Sequence, residues 1–599
     1  MGDLQQLLKQ YFGYDHFRPL QQDIIHDVLA GKDVFVLMPT GGGKSLCYQL
    51  PALKLPGLTL VISPLIALMK DQVDGLKANG VPAELINSSI DFNEIESVKA
   101  GVRNGKVKIL YISPERLATD SFIEFLKEIN LSLIAIDEAH CISEWGHDFR
   151  PDYRNLQDLK KIFTVPIIAL TATATQKVQE DICKQLNLKE PKIFVSSFNR
   201  ENLQLHVLPK KGLLPQLTAL LDKYSGESTI VYCFSRKKTE QLAEDLRAKG
   251  FKALPYHAGL TDIQRQKHQE AFVRDEVDII VATIAFGMGI DKPDVRLVVH
   301  ETFPKTLEGY YQEVGRAGRD GLKSECVMFY SYGDVRNHQF FIDQLEDAKA
   351  KEASMRKLRL VIDFAENFAC RRQFILRYFG ENHQGNCHGC DNCLRVADKF
   401  DATEIAQKIL SCVYRLGNRF GKGHVVDVLR GQSNPRIESW KQNKLAIFGI
   451  AAEHSRDELM QLIDSLIICD FLERSEGQYP VLAVSNKGLV FLKDRQSIEL
   501  PKPRITPKVT KTQERTHKKL APTGDFDQEL FEKLRVLRKS LADEKSVPPF
   551  VIFGDVSLRA MAKSFPKTPD QFLEIHGVGQ SKLEKFGEDF MQIIRGHNS

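Results

Sequence analysis

No stretch of this 599-residue sequence approaches the roughly 18 uninterrupted apolar residues that a membrane-spanning helix needs. Met1 to Gln10 is polar and helix-like, without the apolar core of a signal peptide, so an intracellular location is expected. A dominant charge is lacking too: 82 Lys and Arg against 78 Asp and Glu leave a formal +4. Net charge therefore announces no polyanion partner, and any basic surface must be local. Tryptophan is scarce, with two residues. Eleven cysteines in so long a chain argue for thiols and metal ligands rather than a disulfide framework. What is present is ordinary globular material, 43% hydrophobic and 27% charged, enough for about four domains at ~150 residues each.

Short apolar runs bounded by turn residues recur at Val34 to Met38, Leu58 to Ile62, Ile109 to Ile112, Leu133 to Ile136 and Ile167 to Leu170. A second series covers Ser228 to Tyr232, Ala253 to Tyr256, Val277 to Ala282, Leu297 to His300 and Cys326 to Tyr330. Amphipathic stretches separate the runs, which predicts an α/β fold of two lobes with parallel sheets, joined near Phe198 to Gln204. Lobe 1 is assigned to 1–200 and lobe 2 to 201–340. A helical, then cysteine-rich segment follows at 341–400. Helices ending in a hairpin, Leu472 to Ser485 with its turn at Glu476-Gly477, occupy 401–500. Residues 501–522 carry seven Lys and Arg against one Glu and read as a basic linker. A solvated tether is the simple account; a transient DNA contact is the alternative. In 523–599, Leu530, Leu534, Leu537 and Leu541, then Leu558, Met561 and Phe565, fall at helical spacing. Asp555 and Thr568 read as N-caps of a small, separate all-helical domain.

Three strings carry the chemistry. In MPTGGGKS, Gly41-Gly42-Gly43 follows a strand and lets backbone N–H groups turn toward phosphate oxygens. Thr40, Lys44 and Ser45 complete the loop, with Lys44 expected on the β and γ phosphates and Ser45 on Mg²⁺. In DEAH, Asp137 ends an apolar strand where it can hold the metal, and Glu138 can activate the attacking water. In QEVGRAGRDG, Arg316 and Arg319 sit three apart in a helix-like segment, each a candidate arginine finger or a structural ion pair. Gln312 completes the set.

These strings resemble superfamily 2 helicases, in which Met or Ala commonly stands where Met38 replaces the first glycine of the strict phosphate-loop pattern. The chain more closely resembles the RecQ family of DNA helicases, over nearly its whole length. FGYDHFRPLQQ (Phe12 to Gln22) looks like that family's adenine-recognition motif. The match implies that Tyr14 and Arg18 sandwich the base and Gln21 reads its edge; the family usually has Gly where Leu20 stands. SPLIALMKDQ, SPER, ALTATAT and VATIAFGMGIDKPDVR match further helicase motifs, and Thr171 and Thr173 resemble the element linking ATP and DNA sites. The resemblance implies RecA-like lobes, a zinc-binding subdomain, a winged-helix domain at 401–500 and an HRDC-like tail.

CISEWGHDFRPDY gathers Trp145, His147, Phe149, Arg150 and Tyr153 directly after DEAH. Aromatics there can stack on unpaired bases and Arg can pair with phosphate. The resemblance implies a loop that senses single-stranded DNA and repositions Glu138 and His140, with Trp145, Phe149 and Arg150 in that role. Cys370, Cys387, Cys390 and Cys393 form C-x₁₆-C-x₂-C-x₂-C, a full thiolate set for structural zinc. His388, within the CHGC knuckle, is an alternative ligand but is expected to face outward, and Arg371, Arg372 and Arg377 are candidate phosphate contacts. Cys47 and Cys233 read as core thiols. Tyr479, in the hairpin, could press on the first base pair or simply pack. The IHGVGQSKLEKFG run (Ile575 to Gly587) could hold a phosphate or serve as a helix–helix turn.

The expected activity is ATP-dependent DNA unwinding with ATP, Mg²⁺ and Zn²⁺ as cofactors. The family implies 3′ to 5′ polarity, roles in recombination and repair, and an SOS-response context. Expected partners are single-stranded and duplex or forked DNA and a single-stranded DNA-binding protein, with no membrane. A monomer in the cytoplasm, associated with the nucleoid, completes the expectation. The rival readings are an RNA helicase or duplex translocase on the same engine, and a zinc-dependent DNA-binding protein with a decayed ATPase.

Overall fold

The computed structural model describes residues 2–87, 90–143, 150–284, 286, 292–367, 369–394, 399–474, 481–494, 497–503 and 525–597. Two compact units emerge, one of 1–331 with 519–599, the other of 332–518.

The first unit is built on two parallel sheets. Strands β1 (Val34–Leu37), β2 (Leu58–Ile62), β3 (Ala83–Ile86), β4 (Ile109–Ile112), β5 (Leu131–Ile136), β6 (Ile167–Thr171) and β7 (Lys192–Val195) lie in the order β3-β4-β2-β5-β6-β1-β7. Strands β8 (Leu203–Pro209), β9 (Ser228–Tyr232), β10 (Ala253–Tyr256), β11 (Ile279–Ala282), β12 (Val295–His300) and β13 (Ser324–Tyr330) lie in the order β10-β11-β9-β12-β13-β8. Most of the inner strands are buried along their length, as helices covering both faces require. All ten expected runs are strands. The sequence reading missed β3, β7 and β8. The first is four residues long, β7 is a largely exposed sheet edge, and β8 alternates buried and half-buried residues from the end of the expected junction at Phe198 to Gln204 onward.

Order in the first sheet decides where chemistry can occur. Strands β5, β6 and β1 are neighbours, with Ile134 opposite Ile167 and Val34 opposite Ile168. Their carboxyl ends carry Asp137, Thr171 and the glycine loop, so three distant segments converge on one crevice. Buried Asp33 fixes the other end. Its carboxylate accepts from Ile167 N (2.9 Å), Lys189 N (2.8 Å) and Lys160 Nζ (2.5 Å), which holds the start of β1 against its neighbours.

Residues 525–597 form seven short helical segments around Leu530, Leu534, Phe553, Leu558, Phe572 and Phe590. Thr568 is an N-cap as expected, accepting from Gln571 N at 3.4 Å with Pro569 at the first helical position. Asp555 is not: Gly554 occupies the cap, and the buried Asp555 carboxylate instead accepts from Arg538 Nη1 at 2.8 Å. The domain has its own core but is not separate. Arg535 donates to Gly226 O (2.7 Å), Lys539 to Asp275 O (2.8 Å) and Ser581 to Ala78 O (3.1 Å), so it grips both lobes.

The second unit begins with helices Tyr332–Asp343, Ala348–Glu366 and Arg371–Tyr378. Helices Thr403–Arg415, Lys422–Leu429 and Arg456–Ile468 then pack around Ile409, Val426, Leu462 and Leu466. The expected hairpin is present as β15 (Leu472–Arg474) antiparallel to β16 (Leu482–Val484), while β14 (Lys399–Asp401) pairs with β17 (Glu499–Pro501). Its turn at Glu476-Gly477 and Tyr479 lie outside the described residues, as does the linker from 504 to 522. No helix among the described residues is long and apolar enough to cross a membrane.

Candidate nucleotide site and metal centre

The glycine loop leaves β1 and enters the helix Leu46–Lys54 through Ser45. Gly41 and Gly43 have φ of +77° and +86°, a conformation that a Cβ would strain. At Gly42 a Cβ would come within 2.9 Å of Pro39 O. Lys44 Nζ folds back onto the loop, donating to Met38 O at 3.1 Å and Pro39 O at 3.4 Å. The base-recognition candidates brace the same loop. Arg18 donates to Gly41 O, and Gln21 Nε2 donates to Gly43 O at 3.0 Å while its Oε1 accepts from Arg18 N at 2.8 Å. Leu20 caps the following helix with φ +68°, which accounts for a position where glycine is usual.

Asp137 emerges from β5, and its Oδ1 accepts from Glu138 N at 3.0 Å. Glu138 itself holds φ +47°, a strained conformation for a non-glycine residue and common at functional turns. Its carboxylate lies 3.3 Å from His140 Nδ1, which in turn meets Thr171 Oγ1 at 2.8 Å. Thr171 Oγ1 donates to Thr173 O at 3.4 Å, and Gln312 Nε2 reaches Thr173 Oγ1 at 3.5 Å. A polar relay therefore runs from the Glu138 carboxylate to the second lobe.

That lobe supplies Gln312 from the helix Leu307–Val314, which Thr306 caps by accepting from Gly309 N at 3.0 Å. Arg316 and Arg319 lie in turns after the helix ends, not in a helix-like segment as expected, and Gly318 between them turns the chain with φ +54°. Even so, both arginines reach the cavity that Thr40, Lys44, Ser45, Asp137 and Glu138 line, a space of about 470 Å³. A Cβ on Gly41 would sit 3.2 Å from Arg319 Cα, so the lobes meet closely at the phosphate loop.

Two residues here escaped the sequence reading. Arg200 donates to Thr40 O (2.6 Å), Ala317 O (3.0 Å) and Gly318 O (2.8 Å), tying the phosphate loop to the arginine turn. A lone arginine between lobes carries no pattern that would reveal this. Tyr153 was noticed only as part of an aromatic string. It is fully buried, and its hydroxyl donates to Asp137 O at 2.9 Å. Arg150 faces the same cavity and donates to Pro64 O at 3.1 Å. Trp145, His147 and Phe149 lie outside the described residues.

In the second unit, Cys370, Cys387, Cys390 and Cys393 bring their sulfurs within 4.8 Å of one another. Zinc–sulfur bonds of ~2.3 Å set tetrahedral sulfurs about 3.8 Å apart, so the set fits zinc and leaves no open position for catalysis. Hydrogen bonds from Cys370 and Cys390 hold the Cys387 thiol far below its ordinary range. His388 is exposed and outside the cluster, as expected. Two phosphate-contact expectations fail. Arg371 is buried in a bidentate pair with Asp391 (2.5 and 3.0 Å) and bonds Phe364 O (2.7 Å), and Arg372 is buried as well. Arg371 ties the start of its helix to Asp391, which lies between two of the cysteines; Arg377 stays exposed. Cys47 and Cys233 are buried, and burial pushes the Cys47 thiol up to about 12.

Comparison with known proteins agrees with this geometry. Family profiles match in order along the chain: DEAD/DEAH box helicase at 18–182, helicase conserved C-terminal domain at 212–321, RecQ zinc-binding at 332–394, RQC domain at 397–509 and HRDC domain at 527–594. The chain is 43% identical to the ATP-dependent DNA helicase RecQ of Haemophilus influenzae, over 99% of this chain and 96% of that protein. It is 42% identical to the protein of the same name from Bacillus subtilis, over 99% and 98%. With relatives this similar over nearly the full length of both chains, and five matching profiles in one order, the chain belongs to the RecQ family of DNA helicases.

Proposed function

We infer that this protein unwinds duplex DNA by ATP- and Mg²⁺-dependent 3′ to 5′ translocation on one strand, in recombination and repair. The observation that carries the reading is that one cavity takes Lys44, Asp137 and Glu138 from one lobe and Gln312, Arg316 and Arg319 from the other. A nucleotide there touches both lobes, so binding and hydrolysis change the geometry between them. Lys44 holds the terminal phosphates, Ser45 and Asp137 the metal, Glu138 orients the attacking water, and the arginines offset charge in the transition state. Zinc supplies structural cross-linking through the four thiolates.

The segment 144–149, with Trp145, His147 and Phe149, is our candidate sensor of single-stranded DNA. Its flanks support that role: Ser143 Oγ donates to Asp181 at 2.6 Å, and Arg150 reaches the nucleotide cavity. DNA bound there would act on Ser143, which follows His140 by three residues and Glu138 by five. The domain boundaries at 1–200, 201–340, 341–400, 401–500 and 523–599 belong to this reading. So do a monomeric state, association with the nucleoid and a single-stranded DNA-binding protein as partner.

The deciding experiment measures ATP hydrolysis with and without single-stranded DNA, alongside strand displacement on a partial duplex. Strong stimulation with displacement is expected, and Lys44→Ala should abolish hydrolysis while leaving DNA binding largely intact. Full hydrolysis by that variant would overturn the engine assignment. Equal stimulation by RNA would favour an RNA helicase.

A further inference from the structure

The nucleotide cavity has a wall that no helicase motif supplies. Phe550, Val551, His576 and Lys582, all from the C-terminal domain, line it together with Tyr14 and Arg18. The contact is close. Gly577 N donates to Gly13 O at 3.0 Å, one residue before Tyr14. A Cβ on Gly13 would fall 2.4 Å from Val578 N, and one on Gly579 would fall 2.6 Å from Gln10 O. The two turns are thus fitted backbone to backbone, which only glycine allows at these positions. The fit places the His576 ring 4.9 Å from the Tyr14 ring, tilted by 34°. His576 keeps an exposed side while lining the cavity, so its ring is open to a ligand there. Lys582 brings a cation to the same wall, its ammonium lowered to about 8 by burial and by Lys585. Further contacts hold the domain in place. Arg535 and Lys539 bond backbone carbonyls of lobe 2, and Lys585 donates to Ala78 O of lobe 1 at 3.1 Å.

We propose that the C-terminal domain completes the nucleotide site, with His576 a positioning residue that packs against the base end of ATP beside Tyr14 and Arg18. This rests on the reading of the cavity as the ATP site. An aromatic ring held at stacking distance from Tyr14 extends the flat surface a purine meets, and costs little because the domain is already docked. The glycine turn at Gly577-Val578-Gly579 then serves neither as a phosphate cradle nor as a bare helix connection. It sets the ring's position.

The test uses the full chain and two variants, His576→Ala and His576→Phe. Equilibrium binding of a fluorescent ADP analogue and steady-state hydrolysis with saturating single-stranded DNA are read together. For His576→Ala, loss of one ring contact is expected to weaken ADP-analogue binding roughly three- to tenfold. The loss should fall more on KM for ATP than on kcat. His576→Phe, which keeps a flat ring, should recover most of it. Unchanged or tighter binding by His576→Ala would overturn the proposal, the tighter result meaning that the ring obstructs the base. A matched loss in both variants would also overturn it, since a ring alone would then not suffice. Lys44→Ala separates the two readings. If that variant binds and hydrolyses normally, the ATP-site assignment fails; if it is impaired while His576→Ala is not, only the role of the C-terminal domain falls.

Discussion

At the scale of single residues, Asp137 and Glu138, the carboxylates proposed for catalysis, are held by neighbours that take no part in the proposed chemistry. Glu138 holds a left-handed backbone conformation that costs a non-glycine residue roughly 1–2 kcal/mol. The preceding carbonyl, Asp137 O, is pinned by the buried Tyr153 hydroxyl at 2.9 Å. Tyr153→Phe removes only that hydroxyl and leaves a buried acceptor unsatisfied, a loss of about 1–3 kcal/mol. We expect a lowered denaturation midpoint and slower hydrolysis, with nucleotide affinity largely kept. Wild-type turnover in this variant would show that Asp137 does not need the clamp. The strings around Lys44, Asp137 and Glu138 were legible because phosphate and metal chemistry demands particular residue types in tight spacing. Tyr153 and Arg200 were not, because their role is a single hydrogen-bonding geometry across long sequence separation.

At the scale of elements, buried charges fix the parts that hold the sites. Asp33 joins β1 to the start of β6 and to the segment before β7 through three bonds from Ile167 N, Lys189 N and Lys160 Nζ. Asp33→Ala strands a buried lysine and two amides, and breaking such a pair costs ~3–5 kcal/mol. Thermal unfolding should fall accordingly, and an unchanged midpoint would refute this account of the sheet's edge. In the zinc element, Arg371 and Asp391 form the corresponding buried pair. Cys390→Ser should lose equimolar zinc, read by metal analysis, and Arg371→Ala should speed zinc release to a chelator. A stable wild-type protein purified without metal would contradict the structural role. The arginine pair at Arg316 and Arg319 shows where element reading erred: spacing suggested a helix-like segment, but the helix ends at Val314 and Gly318 turns the chain, and both side chains still reach the cavity.

At the scale of the whole first unit, the C-terminal domain and the lobes form one compact unit, and a histidine lies in their seam. Burial and then Arg18 lower the His576 pKa from its ordinary 6.5, with Lys9 adding to them and Asp15 opposing. A lowered pKa means that the docked state binds fewer protons than the free one. Docking is therefore fully stable above about pH 6.5 and weakens as pH falls from there toward the lowered value. The effect is small, because the ring keeps an exposed side. Hydrogen exchange at the Gly577 amide, bonded to Gly13 O, should outpace the intrinsic chemical trend between pH 7.5 and 5.5. His576→Phe should abolish the excess, and an equal excess in that variant would assign it to other groups. A second seam lies at lobe 2. Lys292 is fully buried between Asp275 and Asp294 (2.5 and 3.1 Å), and Asp275 also lies 3.9 Å from Arg538 of the domain.

The sequence by itself determined the alternation of strand and helix, the glycine loop at the end of its strand and the four zinc thiolates. Each is a local pattern whose meaning survives without coordinates, because hydrophobic periodicity and ligand chemistry act over a few residues. Tertiary structure alone decided that Arg371 and Arg372 are internal braces rather than DNA contacts. It also placed Asp555 in an ion pair instead of a cap, and revealed that Arg200 sews two loops together. Most of all, it decided that the last domain is a wall of the nucleotide cavity. That outcome depends on two glycine turns more than five hundred residues apart fitting backbone to backbone, and no local periodicity encodes a contact of that kind.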